Sequence, residues 1–479
     1  MRPARRWWPL LSLWLSLAVQ AADTTLAFPE AVGFGRHARG GRGGEVVAVT
    51  TLTDGGPGSL RAALHARRWQ RGEVVPRTVV FRVAGTITLT APLWIRDPYL
   101  TVAGQSAPGK GVALRTDGNF DGPALAIDSH DIVIRYLRIR PARAPEGSCC
   151  GDAVSILGGH DIILDHCSLS WGSDEVVGMW YRPRDITLQH NIIAEGRRAS
   201  GEKIHGKGVL VGAHSDRVTL FGNLIAHQLQ RSPMIRSDGP GLFQVVNNVI
   251  YNWRHLGGQY AGSPGPTRVN VVGNTYRPGP ETRPERYEIL ISEGASVYLH
   301  DNRGPRRPVD SLPDWNMAGH QRPRYNQPAP AFLQAPRPFP APALPVLPVE
   351  AAYERVLETV GASLPTRDSA DRRLLYEVRE RITRIDPPPD DAADWPVLAA
   401  GAPYPDTDRD GMDDRWELAH GLAPDDPTDR NHDPDGDGYT HLEEFLNITD
   451  PRQRASTSGG WPRPPVDDRI RSSDRHAEN

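Results

Sequence analysis

The residues with the most evident capacity for chemistry lie between Asp152 and Arg236. Asp152 opens the stretch, an Asp174-Glu175 pair and Lys207 follow, and Arg231-Ser232-Pro233-Met234-Ile235-Arg236 closes it. Acids occupy the first half and cations the second, with short β-type runs between. Grouped carboxylates take up a divalent cation, and fixed Lys and Arg side chains take up an anion. The pattern suggests a cleft in which a cation-bridged acidic substrate lies against fixed basic groups. Taken singly, each cation reads as a surface charge or half of a salt bridge.

A second constellation is self-contained. Asp406, Asp408, Asp410, Asp414 and Glu417 place oxygen donors at positions one, three, five, nine and twelve of an EF-hand loop. Gly411 stands at the sixth position, and Met412 offers its carbonyl at the seventh. Asp433, Asp435, Asp437, Tyr439, His441 and Glu444 repeat the spacing around Gly438. Two such loops in one short segment point to Ca2+; the bland reading is an acidic, solvated tail. No full helix precedes the first loop, so the pair resembles a dockerin or thrombospondin type 3 calcium repeat more than a sensor. The expected role is structural, pinning a segment with little core of its own.

These groups need a scaffold, and short strands supply it. Val79–Phe81, Tyr99–Val102, Ile132–Ile134, Ile162–Leu164, Ile186–Leu188, Val218–Leu220, Phe243–Val246, Val269–Val272 and Val297–Leu299 recur at a spacing of roughly 20–35 residues, the range of solenoids. Gly, Asp, Asn or Pro bounds each run. Asn191, Asn223, Asn248 and Asn274 follow four of them at one place, each before a further apolar pair. Asparagines so repeated stack into an internal hydrogen-bonded ladder. The expected fold is all-β, a right-handed parallel β-helix with a small helical and calcium-loop C-terminal segment. A propeller or sandwich is the alternative. Ser59 is a candidate N-cap for a short helix carrying Leu60, Ala63 and Leu64, which would close the open end of the coil.

The chain divides accordingly. Residues 1–22 read as a signal peptide: Arg2, Arg5 and Arg6, then the apolar run Trp7–Val19, then small residues. An uncleaved anchor is the alternative, and no other stretch is apolar enough to span a bilayer. Residues 23–325 form the β-helix and 326–350 a proline-rich strap. Residues 351–400 are helical, with Leu374, Leu375, Val378 and Ile382 on one face. Residues 401–455 hold the calcium loops and 456–479 a disordered tail. A net charge of −3 excludes a global basic field for nucleic acid. Three cysteines, Cys149, Cys150 and Cys167, are too few for a disulfide scaffold and wrongly spaced for zinc. One bridge, Cys150 to Cys167 for instance, is open. The expected product is a secreted monomer with no membrane association after signal removal.

From Phe28 to Pro278 the chain resembles the pectate lyases of polysaccharide lyase family one. The resemblance rests on several landmarks taken jointly: Gly33-Phe34-Gly35, Gly40-Gly41-Arg42-Gly43-Gly44, Gly58-Ser59-Leu60-Arg61, Gly104-Gln105-Ser106-Ala107-Pro108-Gly109, Ile134-Arg135-Tyr136-Leu137-Arg138, Gly151-Asp152-Ala153, Asp165-His166-Cys167-Ser168-Leu169-Ser170, and Arg231-x-Pro233-x-x-Arg236. It implies calcium-assisted β-elimination on polygalacturonate or pectin. Arg231 would be the base, Lys207 and Arg236 would hold uronate carboxylates, and Asp152 and Asp174 would be active-site calcium ligands. The family's third acid is replaced by Gly178, so Glu175, or substrate and water, would complete the shell. Asp165 and His166 read as supports of the coil. His205, His214 and His227 read as turn residues. Trp171, Trp180, Tyr181 and Trp253 are candidates to stack on sugar, Trp171 first, with core or rim as the default. The rivals are a lyase for methylated pectin or another uronate polymer, a polygalacturonase working through paired carboxylates, and a non-catalytic polysaccharide-binding β-helix.

Overall fold

A computed structural model describes residues 25–455 and Trp461, apart from 71, 146, 149, 198, 201–202, 205, 213, 263–265, 321–326 and 383–394. The signal segment, the tail (Trp461 excepted), Cys149 and His205 lie outside the described residues. Three sheets of ten, eight and ten strands carry the fold; all pairings in them are parallel except that of the last strand, Gln327–Pro328, and successive coils add strands to the three in turn. The structure is therefore a parallel β-helix.

All nine expected strands fall in the first sheet. Their inward residues stack in register as Ile132, Ile162, Ile186, Val218, Phe243, Val269 and Val297. All seven are buried. β-branched side chains suit this pleated surface, and stacking like on like fills the cylinder.

From the fourth strand on, each coil leaves the first sheet through one residue of positive φ: Tyr136, His166, His190, Gly222, Asn247, Gly273 and Asp301. The residue that follows turns inward. There Asn191, Asn223, Asn248, Asn274 and Asn302 form the ladder, each Nδ2 donating to the next Oδ1 at 2.9–3.0 Å. Cys167 holds the equivalent place one coil earlier, where its N–H donates to Asn191 Oδ1 at 2.8 Å. The ladder satisfies the backbone at every bend. Asn248 Nδ2 donates to Leu220 O as well as to Asn274, while its Oδ1 accepts from Asn223 N and Nδ2. Asn248→Leu is expected to cost about 3 kcal/mol, because it strands buried donors and acceptors. Urea denaturation checks this, and a loss below about 0.5 kcal/mol would count against the ladder as a stabilising element.

Helix α1 (Leu60–Leu64) starts at Ser59, whose Oγ accepts from Ala62 N, and buries Leu60, Ala63 and Leu64 against the first coils. The Gly33–Gly35 turn lies flat on the outside of the first sheet. A Cβ at Gly35 would stand 2.3 Å from Ile162 O, so only glycine allows this approach. Asn270, Gln244 and Asn247 clamp the proline-rich strap to the same sheet through the backbone of Phe339, Pro342 and Leu347.

Helices α2 (Val349–Thr359) and α3 (Ser369–Glu380) cover the second sheet. Val356, Leu357, Leu374, Leu375 and Val378 pack on Ile192, Leu224, Val249 and Tyr251. Ile382 does not join this stripe. Arg381 ends α3 in the left-handed conformation, and Ile382 beyond it is 43% exposed. Helices α4 (Asp414–His420) and α5 (His441–Asn447) flank the acidic loops, and Met412, Leu442, Phe445 and Leu446 dock on Val46 and Ala103 of the first coils. Arg42 pairs with Glu443 and Arg82 with Asp406 across the same junction. The bridge considered between Cys150 and Cys167 is not formed: Cys150 is disulfide-bonded, and Cys167 is a buried free thiol within the coil.

Candidate functional site

The strap and the helices take the outer faces of the first two sheets; the candidate site belongs to the third. Its strands Val154–Leu157, Glu175–Trp180, Lys207–Val211 and Met234–Ser237 lie side by side. Pairing of Glu175 with Lys207, and a bridge from Lys207 to Gln230, bring residues far apart in sequence to one edge. Carboxylate oxygens of Asp152, Asp174 and Glu175 lie within 4.8 Å of one another. Lys207 Nζ hydrogen-bonds Asp174 and stands 3.6 Å from Glu175. Arg231 hydrogen-bonds Glu175. Five of the six residues singled out here thus converge. The sixth, Arg236, is 59% exposed beside Asp238, 3.8 Å away.

Asp152 is fixed from both sides. Its Oδ2 accepts from Ser155 Oγ at 2.7 Å and its Oδ1 from Glu175 N at 3.0 Å. Burial, and the Asp174 carboxylate beside it, push it up to about 8 against the Ser155 hydrogen bond and the nearby cations. Three carboxylates so packed, two of them buried, fit a hard divalent cation. Burial also pulls Arg231 below its ordinary value, against Asp174 and Asp152 and with the aid of Arg236.

Gly178 now has a physical reason. A Cβ there would stand 2.4 Å from Asp152 Oδ2. The preceding coil's acid fills the space that a side chain at 178 would need. Gly178→Ala is expected to displace Asp152 and weaken cation binding about tenfold or more. Calorimetric calcium titration measures this, and an unchanged affinity would remove Asp152 from the group.

Of the aromatic candidates, Trp171 and Trp253 are buried, at 2% and 1% exposure, and cannot meet a sugar. Trp171 donates from Nε1 to Glu195 and packs edge-on against Trp395. Trp180 and Tyr181 are exposed. Asp165 is fully buried, accepting from Arg135 and Gln189. His166 beside it stacks between Tyr136 and His190. His227 lies 3.2 Å from Glu377 beneath α3.

The C-terminal loops form a second acidic centre. Oxygens of Asp406, Asp408 and Asp410 lie within 4.8 Å of each other, as do those of Asp410, Glu417 and Asp429. One carboxylate oxygen of each of these aspartates, and both of Glu417, are buried without a hydrogen-bond partner. Burial, with neighbouring acids, pushes Asp410 up to about 7 and Glu417 to about 8. Buried, unbonded anions at this density fit a cation shell. Asp414 is not drawn in, since both its oxygens accept from Thr407. Asp429 was not foreseen. Sequence offers Asp425, Asp426 and Asp429 between the loops, and only the fold buries Asp429 beside Glu417.

In the second loop Asp433, Asp435 and Asp437 group together. Glu444 has both oxygens buried and unbonded, and burial and those acids push it up to about 8. Tyr439 N donates to Asp437, and His441 opens α5. Gly411 and Gly438 take φ near +97° and +96°, as the sharp sixth-position turn requires.

No family model matches the chain. It is 34% identical over 448 residues to a probable pectate lyase C of Neosartorya fischeri, covering 92% of this chain and 97% of that protein. A probable pectate lyase C of Emericella nidulans is 33% identical over 468 residues, covering 94% and 99%. A probable pectate lyase 5 of Arabidopsis thaliana is 30% identical over 269 residues, covering 51% and 60%. Among solved structures, a Bacillus pectate lyase in complex with trigalacturonate aligns with a TM-score of 0.46 at 16% identity, over 69% of this chain and 98% of that one.

Proposed function

This chain belongs to the pectate lyase family, and we propose that it cleaves polygalacturonate by calcium-assisted β-elimination, outside the cell and as a monomer. The observation that carries this reading is the convergence of Asp152, Asp174 and Glu175 with Lys207 and Arg231 on one edge of the third sheet. Among the described residues no helix is long and apolar enough to cross a membrane.

Asp152, Asp174 and Glu175 would hold the active-site calcium. Calcium bound there supplies positive charge to a uronate carboxylate and so acidifies the adjacent C5 proton. Lys207 and Arg236 bind and orient carboxylates of the polymer, and their charge stabilises the enolate-like anion that develops. Arg231, as the neutral guanidine, accepts the C5 proton and becomes guanidinium. The C5 electron pair becomes the C4–C5 double bond, the C4–O bond breaks, and the leaving oxygen takes a proton from water. A guanidinium holds its proton tightly in water, and burial of Arg231 works against that hold. In the C-terminal segment Asp406, Asp408, Asp410, Glu417 and Asp429 would hold one structural calcium. Asp433, Asp435, Asp437 and Glu444 would hold another.

Ultraviolet absorbance during incubation with polygalacturonate tests the reading, because elimination leaves a conjugated double bond and hydrolysis does not. A rise that needs calcium supports it. A rise that survives a chelator leaves elimination standing and confines calcium to the C-terminal loops. No rise on polygalacturonate or methylated pectin overturns it.

A further inference from the structure

Trp180 ends the strand that begins with Glu175, yet the roles proposed for this site leave it unused. The residue is 37% exposed. Gly212 makes room for it, and Gly178 lies at its other end. A Cβ at Gly212, just past the Lys207–Val211 strand, would stand 3.1 Å from Trp180 Cε3 and Cζ3, so the six-membered ring rests on bare backbone. A Cβ at Gly178 would stand 3.7 Å from Trp180 Nε1 and 2.4 Å from Asp152 Oδ2, so the other end of the indole faces the acidic group. Pairing of Val211 with Ile235 places the next residue on that strand, Arg236, beside Gly212. The outer face of the third sheet thus presents, in order across neighbouring strands, the Asp152 carboxylate, an indole laid on glycine, and an exposed guanidinium.

We propose that Trp180 is the platform of a sugar subsite next to the cation group. It would stack on the apolar C–H face of one uronate ring while Arg236 takes up a carboxylate beside it. The inference rests on the function proposed above and adds a residue to it. The surface suits a uronate polymer in two respects. Exposed indole is unfavourable in water, and the hydrophobic face of a pyranose covers it. The negative edge of the same sugar needs a cation, and Arg236 is the side chain in this row whose charge is most exposed. Bare backbone at Gly212 lets one end of the ring lie flat, and the Asp152 carboxylate over Gly178 stands near the other. Trp180 touches no reacting atom in this scheme, so it is a positioning residue.

Calorimetric binding of trigalacturonate in calcium, with the full-length protein, tests the subsite. Trp180→Ala and Trp180→Gln are each expected to weaken binding about tenfold, the scale of one sugar face buried on an aromatic ring. Trp180→Phe, which keeps a flat ring, is expected to stay within about threefold of the wild type. In the absorbance assay Trp180→Ala should raise KM and leave kcat nearly unchanged. Unchanged affinity in both non-aromatic variants overturns the subsite whatever the wild type's activity. A wild type that binds through Trp180 yet gives no absorbance rise would retain the platform and overturn the lyase reading instead. Circular dichroism of each variant separates loss of binding from loss of fold.

Discussion

Replacing Arg231 with alanine is expected to lower kcat on polygalacturonate by about a thousandfold, within the range for loss of a positioned acid–base group. The fold should survive. Arg231 lies in the loop before the Met234–Ser237 strand, and its side chain is 22% exposed. Its one strong partner, Glu175, keeps Lys207 at 3.6 Å when the guanidinium is gone. Arg231→Lys separates the two roles that a cation can take here. A residue that only binds a carboxylate would tolerate lysine with a modest rise in KM. A residue that receives the C5 proton as a neutral guanidine, once Glu175 is drawn away by calcium, would lose kcat with either replacement. Steady-state kinetics with calcium in excess give the answer. Full activity in Arg231→Ala would sink the assignment.

The second large effect is on stability. Adding calcium to metal-free protein is expected to raise the melting temperature by about 5–10 °C through the C-terminal loops. Without a cation, Glu417 and Glu444 each keep two buried oxygens with no hydrogen bond, and Asp406, Asp408, Asp410 and Asp435 keep one each. Burying such charge unpaired is costly, and a ligand that binds only the folded state recovers that cost. At a hundredfold excess over the dissociation constant each site contributes about 2.7 kcal/mol. Glu417→Gln with Glu444→Gln should remove most of the calcium-induced shift, read by calorimetric melting with calcium and with chelator. Because the loops pack on Val46 and Ala103, their loosening should also free the first coils to exchange amide hydrogens faster. A double variant with the full wild-type shift would place the stabilising calcium elsewhere.

Much of the scaffold was legible in the chain. The β-branched runs repeat because each coil must supply one inward-facing set to the same sheet, so one coil's pattern predicts the next. The asparagines repeat for an equally local reason: each follows a residue of positive φ at a bend, and each satisfies the backbone of the coil before it. The spacing within the acidic loops was readable too, since a twelve-residue loop is closed by its own backbone. Residue type and order marked the stretch that holds Lys207, Arg231 and the three carboxylates, and the family resemblance singled them out within it.

Tertiary structure decided what depends on contacts between coils. No pattern within one coil says that Asp152 occupies the space over Gly178, because the two meet only when their strands lie side by side. Asp429 is one of several acids between the loops, and only burial beside Glu417 selects it. Trp171 and Trp180 lie in the same stretch, yet one is sealed against Trp395 and Glu195 and the other stands on the surface. Sequence leaves a bridge from Cys167 to Cys150 open, and the fold instead sets Cys167 at the start of the asparagine ladder as a free thiol. Sequence determined the repeat because the repeat is a property of each coil alone. The site is a property of neighbouring coils, whose residues meet at separations of 23 to 56 positions, so its shape emerged only when they were stacked.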